Sequence, residues 1–274
     1  MTAVLTASKI SSLRFRIVQK FRQLSSRVNE EPIIVLGNQK SGTSAIVSLL
    51  GEASKKSYTN DIFTWYSDLE SKVLDGRVSF DEFVRTARFY FSRAFIKDPG
   101  LTFLLDRIDE RFPSAKYVFV VRNPLTNIRS ILNRLNLPGD LTDIGEEHWE
   151  YVRNVRPNWQ PVLTGQSGGY FDGSYIERLA HRCRMALEIA FDDERWKIVR
   201  YEDFLNDKVG IIQETLKWLE LPTKADISPI VDQPFQPAST VTSPPLEFFG
   251  DSNHQKIIDI CGASMRKHGY TVTP

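Results

Sequence analysis

The stretch from residue 33 to residue 50 constrains the fold of this chain more than any other. Ile33-Ile34-Val35-Leu36 reads as a short buried strand, and it leads through Gly37-Asn38-Gln39-Lys40-Ser41-Gly42-Thr43-Ser44 into a helical pattern carried by Ile46, Val47, Leu49 and Leu50. A glycine-rich turn between a buried strand and a helix is an anion cradle. Its backbone N–H groups converge, and the helix N-terminus adds positive potential. Gly37 and Gly42 have the spacing of a Walker loop, but the next residue is Thr43, and the lysine of this segment is Lys40, inside the loop. A Walker lysine follows the second glycine so as to reach the β- and γ-phosphates. The pattern therefore keeps a phosphate-type site and disfavours ATP or GTP hydrolysis.

A second buried strand is expected at Tyr117–Val121, followed by Arg122-Asn123-Pro124 and a helix with Ile128, Ile131, Leu132 and Leu135 on one face. Weaker strands are expected at Ala94–Ile96 and Lys197–Val199, and helices over 101–111, 175–191, 207–220 and 254–267. Strands alternating with helices imply an α/β fold, a parallel sheet flanked by helices on both faces. Two stretches read as irregular covers over a site: 138–174, with Trp149, Trp159, Tyr170 and Phe171, and the proline-rich 228–250. The 274 residues suit one main domain, over 32–274. Residues 1–31 precede it as a basic amphipathic helix. Ile10, Leu13, Ile17, Phe21, Leu24 and Val28 form its stripe, and six lysines and arginines fill the other faces. That helix either docks on its own domain or lies on anionic lipid through residues 8–28.

Charge narrows the partners. Lysine plus arginine (35) nearly balances aspartate plus glutamate (34), so duplex nucleic acid is not an expected partner and any anion site must be local. Cys183 and Cys261 fall on apolar helix faces and read as buried thiols. With no apolar run of membrane-spanning length and no apolar signal core, a cytoplasmic location is expected.

At this point the chain resembles the sulfotransferases. Gln39-Lys40-Ser41-Gly42-Thr43-Ser44 is similar to their 5′-phosphosulfate loop, usually Pro-Lys-Ser-Gly-Thr-Thr. Arg122 after an apolar strand, with Ser130 eight residues on, resembles their second signature. Lys97-Asp98-Pro99 resembles a segment of the tyrosylprotein branch, and Val199-Arg200-Tyr201-Glu202-Asp203 resembles the family's Tyr-Glu-Asp stretch. Cys261, Met265 and Gly269-Tyr270 are similar to the C-terminal helix of the carbohydrate branch. The motifs run in order over roughly residues 32–270.

The resemblance implies a nucleotide-kinase-like sulfotransferase fold and the donor 3′-phosphoadenosine 5′-phosphosulfate (PAPS), with PAP as product. Gln39, Lys40, Ser41, Gly42, Thr43 and Ser44 would hold the 5′-phosphosulfate, with Lys40 meeting charge that grows on the bridging oxygen. Arg122 and Ser130 would hold the 3′-phosphate, and Tyr201 would contact the adenine. Lys97 would steady the sulfuryl oxygens. The sequence departs from the cytosolic branch in two places: Pro99 stands where a catalytic histidine follows the lysine, and 228–250 lacks an Arg-Lys-Gly clamp. Asp61 follows Ser41 at the spacing where the tyrosylprotein branch places its catalytic glutamate, so the resemblance implies Asp61 as the base, with His148, beside Glu146 and Glu147, as its rival. No metal-ligand cluster is visible, and none is expected. The acceptor implied is a hydroxyl of a carbohydrate or glycolipid, with a tyrosine-containing peptide or a small alcohol still open. Two alternative readings are a small-molecule kinase and a catalytically silent PAP-binding module.

Overall fold

The computed structural model describes residues 22–23, 25–65, 67–165, 171–189, 193–233 and 243–272, apart from the side chains of residues 64, 65, 67 and 68. The chain begins with strand β1 (Ile33–Leu36), helix α1 (Thr43–Ser54) and strand β2 (Tyr58–Asn60). Helices α2 (Ile62–Trp65), α3 (Ser67–Leu74), α4 (Phe80–Thr86) and α5 (Arg88–Phe91) lead to strand β3 (Phe95–Lys97). A 3-10 helix over Pro99–Leu104 continues into α6 (Leu105–Arg111), followed by β4 (Lys116–Val121) and α7 (Pro124–Leu135). The second half holds α8 (Glu146–Val155), α9 (Gln160–Leu163), α10 (Tyr175–Glu188), β5 (Trp196–Arg200), α11 (Tyr201–Asn206), α12 (Lys208–Trp218) and α13 (Pro245–Lys267).

The five strands form one sheet in the order β2-β3-β1-β4-β5, and every pairing is parallel. This is the expected α/β architecture, a parallel sheet flanked by helices as in nucleotide-kinase-like sulfotransferases. Its faces follow from the two-residue period of a strand. Ile34, Leu36, Ile96, Tyr117, Phe119 and Val121 enter one core with Phe83, Phe91 and Phe112. Val35, Phe95, Val118, Val120 and Val199 enter the opposite core with Ile46, Leu50, Phe204 and Leu216. A third cluster lies away from the sheet and joins α7, α10 and α13 through Ile128, Ile131, Leu179, Cys183, Ile257 and Cys261. Both cysteines are buried and unpaired, as their positions suggested.

The structure corrects several local expectations. The stretch 138–174 is not irregular throughout, because α8 and α9 lie inside it. Helix 101–111 begins as a 3-10 segment, since Asp98 caps it by accepting the Gly100 N–H at 2.7 Å and Pro99 fixes its first turn. The C-terminal helix starts at Pro245 rather than residue 254 and kinks at Gly250 (φ 63). Strand β2 and the helices from 62 to 91 carried no expectation. Most of the amphipathic helix expected over residues 8–28 lies outside the described residues. At its described end Gln23 accepts the Phe89 N–H at 2.9 Å, and Val28 packs on the sheet core. Among the described residues no helix is long and apolar enough to cross a membrane.

One close approach sets the distance between α1 and β2. Gly51 faces Tyr58, and a Cβ at residue 51 would lie 2.2 Å from the ring's Cδ1. Alanine normally gains about 1 kcal/mol over glycine inside a helix. Here the overlap reverses the sign, and Gly51→Ala should destabilise the fold by about 1–3 kcal/mol, read as a lower melting temperature. Tyr58→Leu in the same chain should recover part of that loss. Strict additivity of the two changes would show that the contact is not what excludes the methyl group.

Candidate active site

Parallel strands deliver their C-terminal ends to one edge of the sheet, and in this order β1 lies between β3 and β4, where the connections diverge to either side. All five ends contribute. The glycine loop follows β1, Asp61 follows β2, Lys97 closes β3, Arg122 follows β4 and Tyr201 follows β5. The register sets these ends side by side, with Val35 and Asn60 both opposite Lys97, and Val121 opposite Arg200.

The loop is held from several directions. The Gly37 N–H donates to Thr102 Oγ1 at 2.9 Å. Asn38 Nδ2 donates to Asn127 Oδ1 and Asn127 Nδ2 donates to the Gln39 carbonyl, each at 2.8 Å. Arg122 Nη1 donates to the Lys40 carbonyl at 2.6 Å. Lys40 itself sits in the left-handed region (φ 65), as does Gly42 (φ 101). Gly42 admits no side chain, because a Cβ there would lie 2.3 Å from Cδ2 of Tyr201. As the N-cap of α1, Gly42 also brings no side-chain oxygen to the first-turn amides, so an anion meets them without a competing cap. Ser41 Oγ is buried with no hydrogen-bond partner among the described residues. That orphaned hydroxyl, inside a positive loop, fits a phosphate or sulfate oxygen.

Charge gathers around the loop. Burial, then the nearby cations Arg134, Arg122 and Lys97, pushes the Lys40 ammonium down to about 8, while Asp61 pulls the other way. Lys97, only 2% exposed, donates from Nζ to Asp61 Oδ1 at 2.6 Å and to Ser44 Oγ at 2.8 Å. Asp61 adopts φ 53 and donates its own N–H to the Lys97 carbonyl at 3.0 Å, so backbone and side chain fix the pair together. Asp98 is buried behind it and accepts from the Phe63 and Gly100 amides. Burial first, then Asp61 and Glu70, raises its pKa. Arg122 lies 4.4 Å over the Tyr201 ring and donates from Nε to Thr126 Oγ1 at 3.1 Å. Burial lowers the Arg122 pKa.

The structure therefore brings Gln39, Lys40, Ser41, Gly42, Thr43, Ser44, Asp61, Lys97, Arg122 and Tyr201 to one edge of the sheet. Tyr201 is wedged between Gly42 and the Arg122 guanidinium. Ser130 lies on α7, half-buried, one turn beyond Thr126. His148 lies on α8, its buried Nδ1 3.8 Å from Glu147 Oε1 and without a hydrogen bond among the described residues; its described contacts include none with the loop or Lys97. Of the proline-rich segment, 234–242 is outside the described residues, and the Ser243 carbonyl accepts from the Arg129 guanidinium. Sequence reasoning missed Asn127, Arg134 and Arg182. Arg134 continues the four-residue spacing of Arg122, Thr126 and Ser130, a signal that was present. Asn127 and Arg182 carry no local signal. Among the described residues no group of three or more histidines, cysteines or carboxylates is placed to hold a metal ion.

Residues 57–225, more than half of the chain, match the model of the Sulfotransferase family. The match begins after the glycine loop. The structure is similar to the crystal structure of sulfotransferase STF9 from Mycobacterium avium (TM-score 0.57, 14% identity, 94% of this chain and 82% of that one). It is also similar to sulfotransferase STF1 from Mycobacterium tuberculosis H37Rv (TM-score 0.50, 15% identity, 89% and 80% covered). These likenesses, at such identity, concern the fold. A comparison with curated proteins gives no match.

The lowered Lys40 pKa has a measurable sign. Lys40 keeps its proton below about pH 8 and loses it above, whereas a bound anion favours the charged form. Affinity for a phosphate- or sulfate-bearing anion at the loop should fall as pH rises from about 7 to about 9, with proton uptake on binding near the upper end. Calorimetry in buffers of different ionisation enthalpy reads that proton, and Lys40→Met should abolish the uptake. Uptake that persists in the variant would assign the titration to another group.

Proposed function

Because this chain belongs to the sulfotransferase family, we propose that it transfers the sulfuryl group of PAPS to a hydroxyl of an acceptor, a carbohydrate or glycolipid. The observation that carries the reading is the juxtaposition at the strand ends. An uncapped helix N-terminus, Lys40 and Arg122 stand beside a carboxylate that is hydrogen-bonded to a buried lysine. That arrangement supplies what sulfuryl transfer asks of a protein, namely in-line positioning and stabilisation of moving charge.

In this reading the loop amides, Ser41 Oγ and Thr43 hold the 5′-phosphosulfate. The bond between sulfur and the bridging oxygen breaks as the bond to the acceptor oxygen forms. The electron pair left on the bridging oxygen faces Lys40. The acceptor proton passes to Asp61, which Lys97 holds in position through its 2.6 Å contact. Lys97 Nζ also reaches Ser44 Oγ, so the same ammonium links the base to the first turn of α1. Arg122 and Ser130 take the 3′-phosphate, and Tyr201 takes the adenine side.

The acceptor class rests on the resemblance of the C-terminal helix to the carbohydrate branch. The aromatic residues of 138–174 contribute less than their number suggests. Trp149 and Trp159 pack partly against the helical core, and Phe171 stacks on His181 with ring centroids 5.0 Å apart. Two free, buried thiols fit a reducing, cytoplasmic location. Contact of residues 8–28 with anionic lipid belongs to the same proposal.

Nucleotide preference tests the donor. PAP should bind far better than ADP, and Arg122→Ala should cut the ratio of the two affinities at least about 30-fold, the low end for losing a bidentate charged contact. The ratio is the right measure, because Arg122 also holds the Lys40 carbonyl and loosening the loop weakens both nucleotides alike. Equal affinities in the parent protein would remove the PAPS reading. The base is tested separately. Asp61→Asn keeps an oxygen for Lys97 Nζ and removes the proton acceptor, so transfer of labelled sulfate should fall about 10²–10⁴-fold while PAP affinity holds. His148→Ala should cost far less. The reverse ranking would move the base to α8.

A further inference from the structure

Arg182, on α10, is the largest fully buried side chain among the described residues, yet its described hydrogen-bond partners are uncharged. Nε and Nη2 both donate to Gln39 Oε1, at 3.1 and 2.5 Å, and Nε also donates to Asn38 Oδ1 at 3.1 Å. The guanidinium stacks 4.0 Å from the Phe103 ring. Burial pushes its pKa down to about 10, so it remains a cation at neutral pH. A buried cation is costly unless its donors are used, and here two of its three nitrogens are used on the glycine loop.

That hold fixes the Gln39 amide unambiguously. A guanidinium only donates, so the amide oxygen must face Arg182, and the two N–H bonds of Nε2 are turned away from it. The backbone on both sides of the side chain is also clamped, by Asn127 on the Gln39 carbonyl and Arg122 on the Lys40 carbonyl. Gln39 is half-buried and directly precedes Lys40. The resembling loops carry proline at this place, which has no side-chain donor.

We propose that Arg182 is a positioning residue that presents Gln39 Nε2 as a hydrogen-bond donor to a non-bridging oxygen of the sulfuryl group during transfer. The inference rests on the sulfotransferase reading of the site and assigns Gln39 to the reacting group rather than to nucleotide binding. Bond changes are those already given: Lys40 meets the electron pair on the bridging oxygen, Asp61 takes the acceptor proton, and Gln39 neither gains nor loses a proton. Its contribution is a neutral dipole, aimed in advance at charge carried by the equatorial oxygens.

The test uses the full chain, PAPS labelled in the sulfuryl group, and water as the acceptor, with PAP calorimetry and melting temperature alongside. Gln39→Glu keeps an oxygen for Arg182 and removes the N–H donors; Gln39→Met removes both without adding charge. Release of labelled sulfate at saturating PAPS should fall about 10- to 100-fold in both, with PAP affinity within about threefold of the parent. Arg182→Lys should lower kcat in the same way with KM for PAPS little changed. Turnover equal to the parent in both Gln39 variants overturns the proposal. A loss of PAP affinity that tracks the loss of turnover also overturns it, because the pair would then only shape the loop. A parent protein that binds no PAP, or that binds PAP but transfers label neither to water nor to a mixed set of hydroxyl acceptors, instead overturns the reading underneath.

Discussion

A buried ammonium organises this site. Lys97 is almost fully enclosed at the end of β3, and its Nζ is hydrogen-bonded to Asp61 and Ser44. Removing such a charge from water costs several kcal/mol unless partners replace the water. The two partners come from different elements, the turn after β2 and the first turn of α1, so satisfying one lysine fixes three segments relative to one another. Asp61 stays in a left-handed conformation because its amide bonds the Lys97 carbonyl while its carboxylate bonds Nζ. The strain of one residue and the burial of the other are thus met by the same pair of contacts.

The loop shows the complementary constraint. Its donors and cations are left in excess, with an uncapped helix start, an orphaned Ser41 hydroxyl and a lysine whose proton is loosened by burial and by three neighbouring cations. A site of this kind is destabilised by its own charge until an anion arrives. The structure holds the loop through ties to its backbone: Thr102 on Gly37, Asn127 on the Gln39 carbonyl, and Arg122 on the Lys40 carbonyl. Binding free energy then comes from relieving repulsion as well as from making contacts.

What the sequence made legible follows from the same physics. Interior parallel strands are buried on both faces and read as continuous apolar runs, which is why β1 and β4 stood out together with the loop and Arg122 that follow them. Strand β2 has three residues, Tyr58-Thr59-Asn60, too few and too polar to show any period. Helix α8 was hidden because its apolar positions, Trp149, Tyr151, Val152 and Val155, stand among charged residues, a composition shared with loops. The loop was legible from its glycine spacing between strand and helix, and Lys97 and Asp61 as types through resemblance. Their meeting depends on strand order, which no local spacing encodes. Arg182 lies 143 residues from Gln39, and nothing near either residue announces the contact.

The C-terminal residues are tied to the site by a short chain of hydrogen bonds. The Tyr270 hydroxyl donates to Glu202 Oε2 at 2.9 Å, and Glu202 Oε1 accepts the Asn123 N–H at 3.0 Å. Asn123 in turn is the N-cap of α7, accepting the Leu125 N–H. The chain's end therefore braces the turn that carries Arg122. Arg122 needs such bracing, because its guanidinium already serves the Lys40 carbonyl, the Thr126 hydroxyl and the Tyr201 ring. A side chain with so many fixed contacts cannot swing to meet a ligand, so the ligand must meet it where it stands. In that geometry affinity comes from preorganisation, with the ordering cost met when the chain folds rather than when the nucleotide binds.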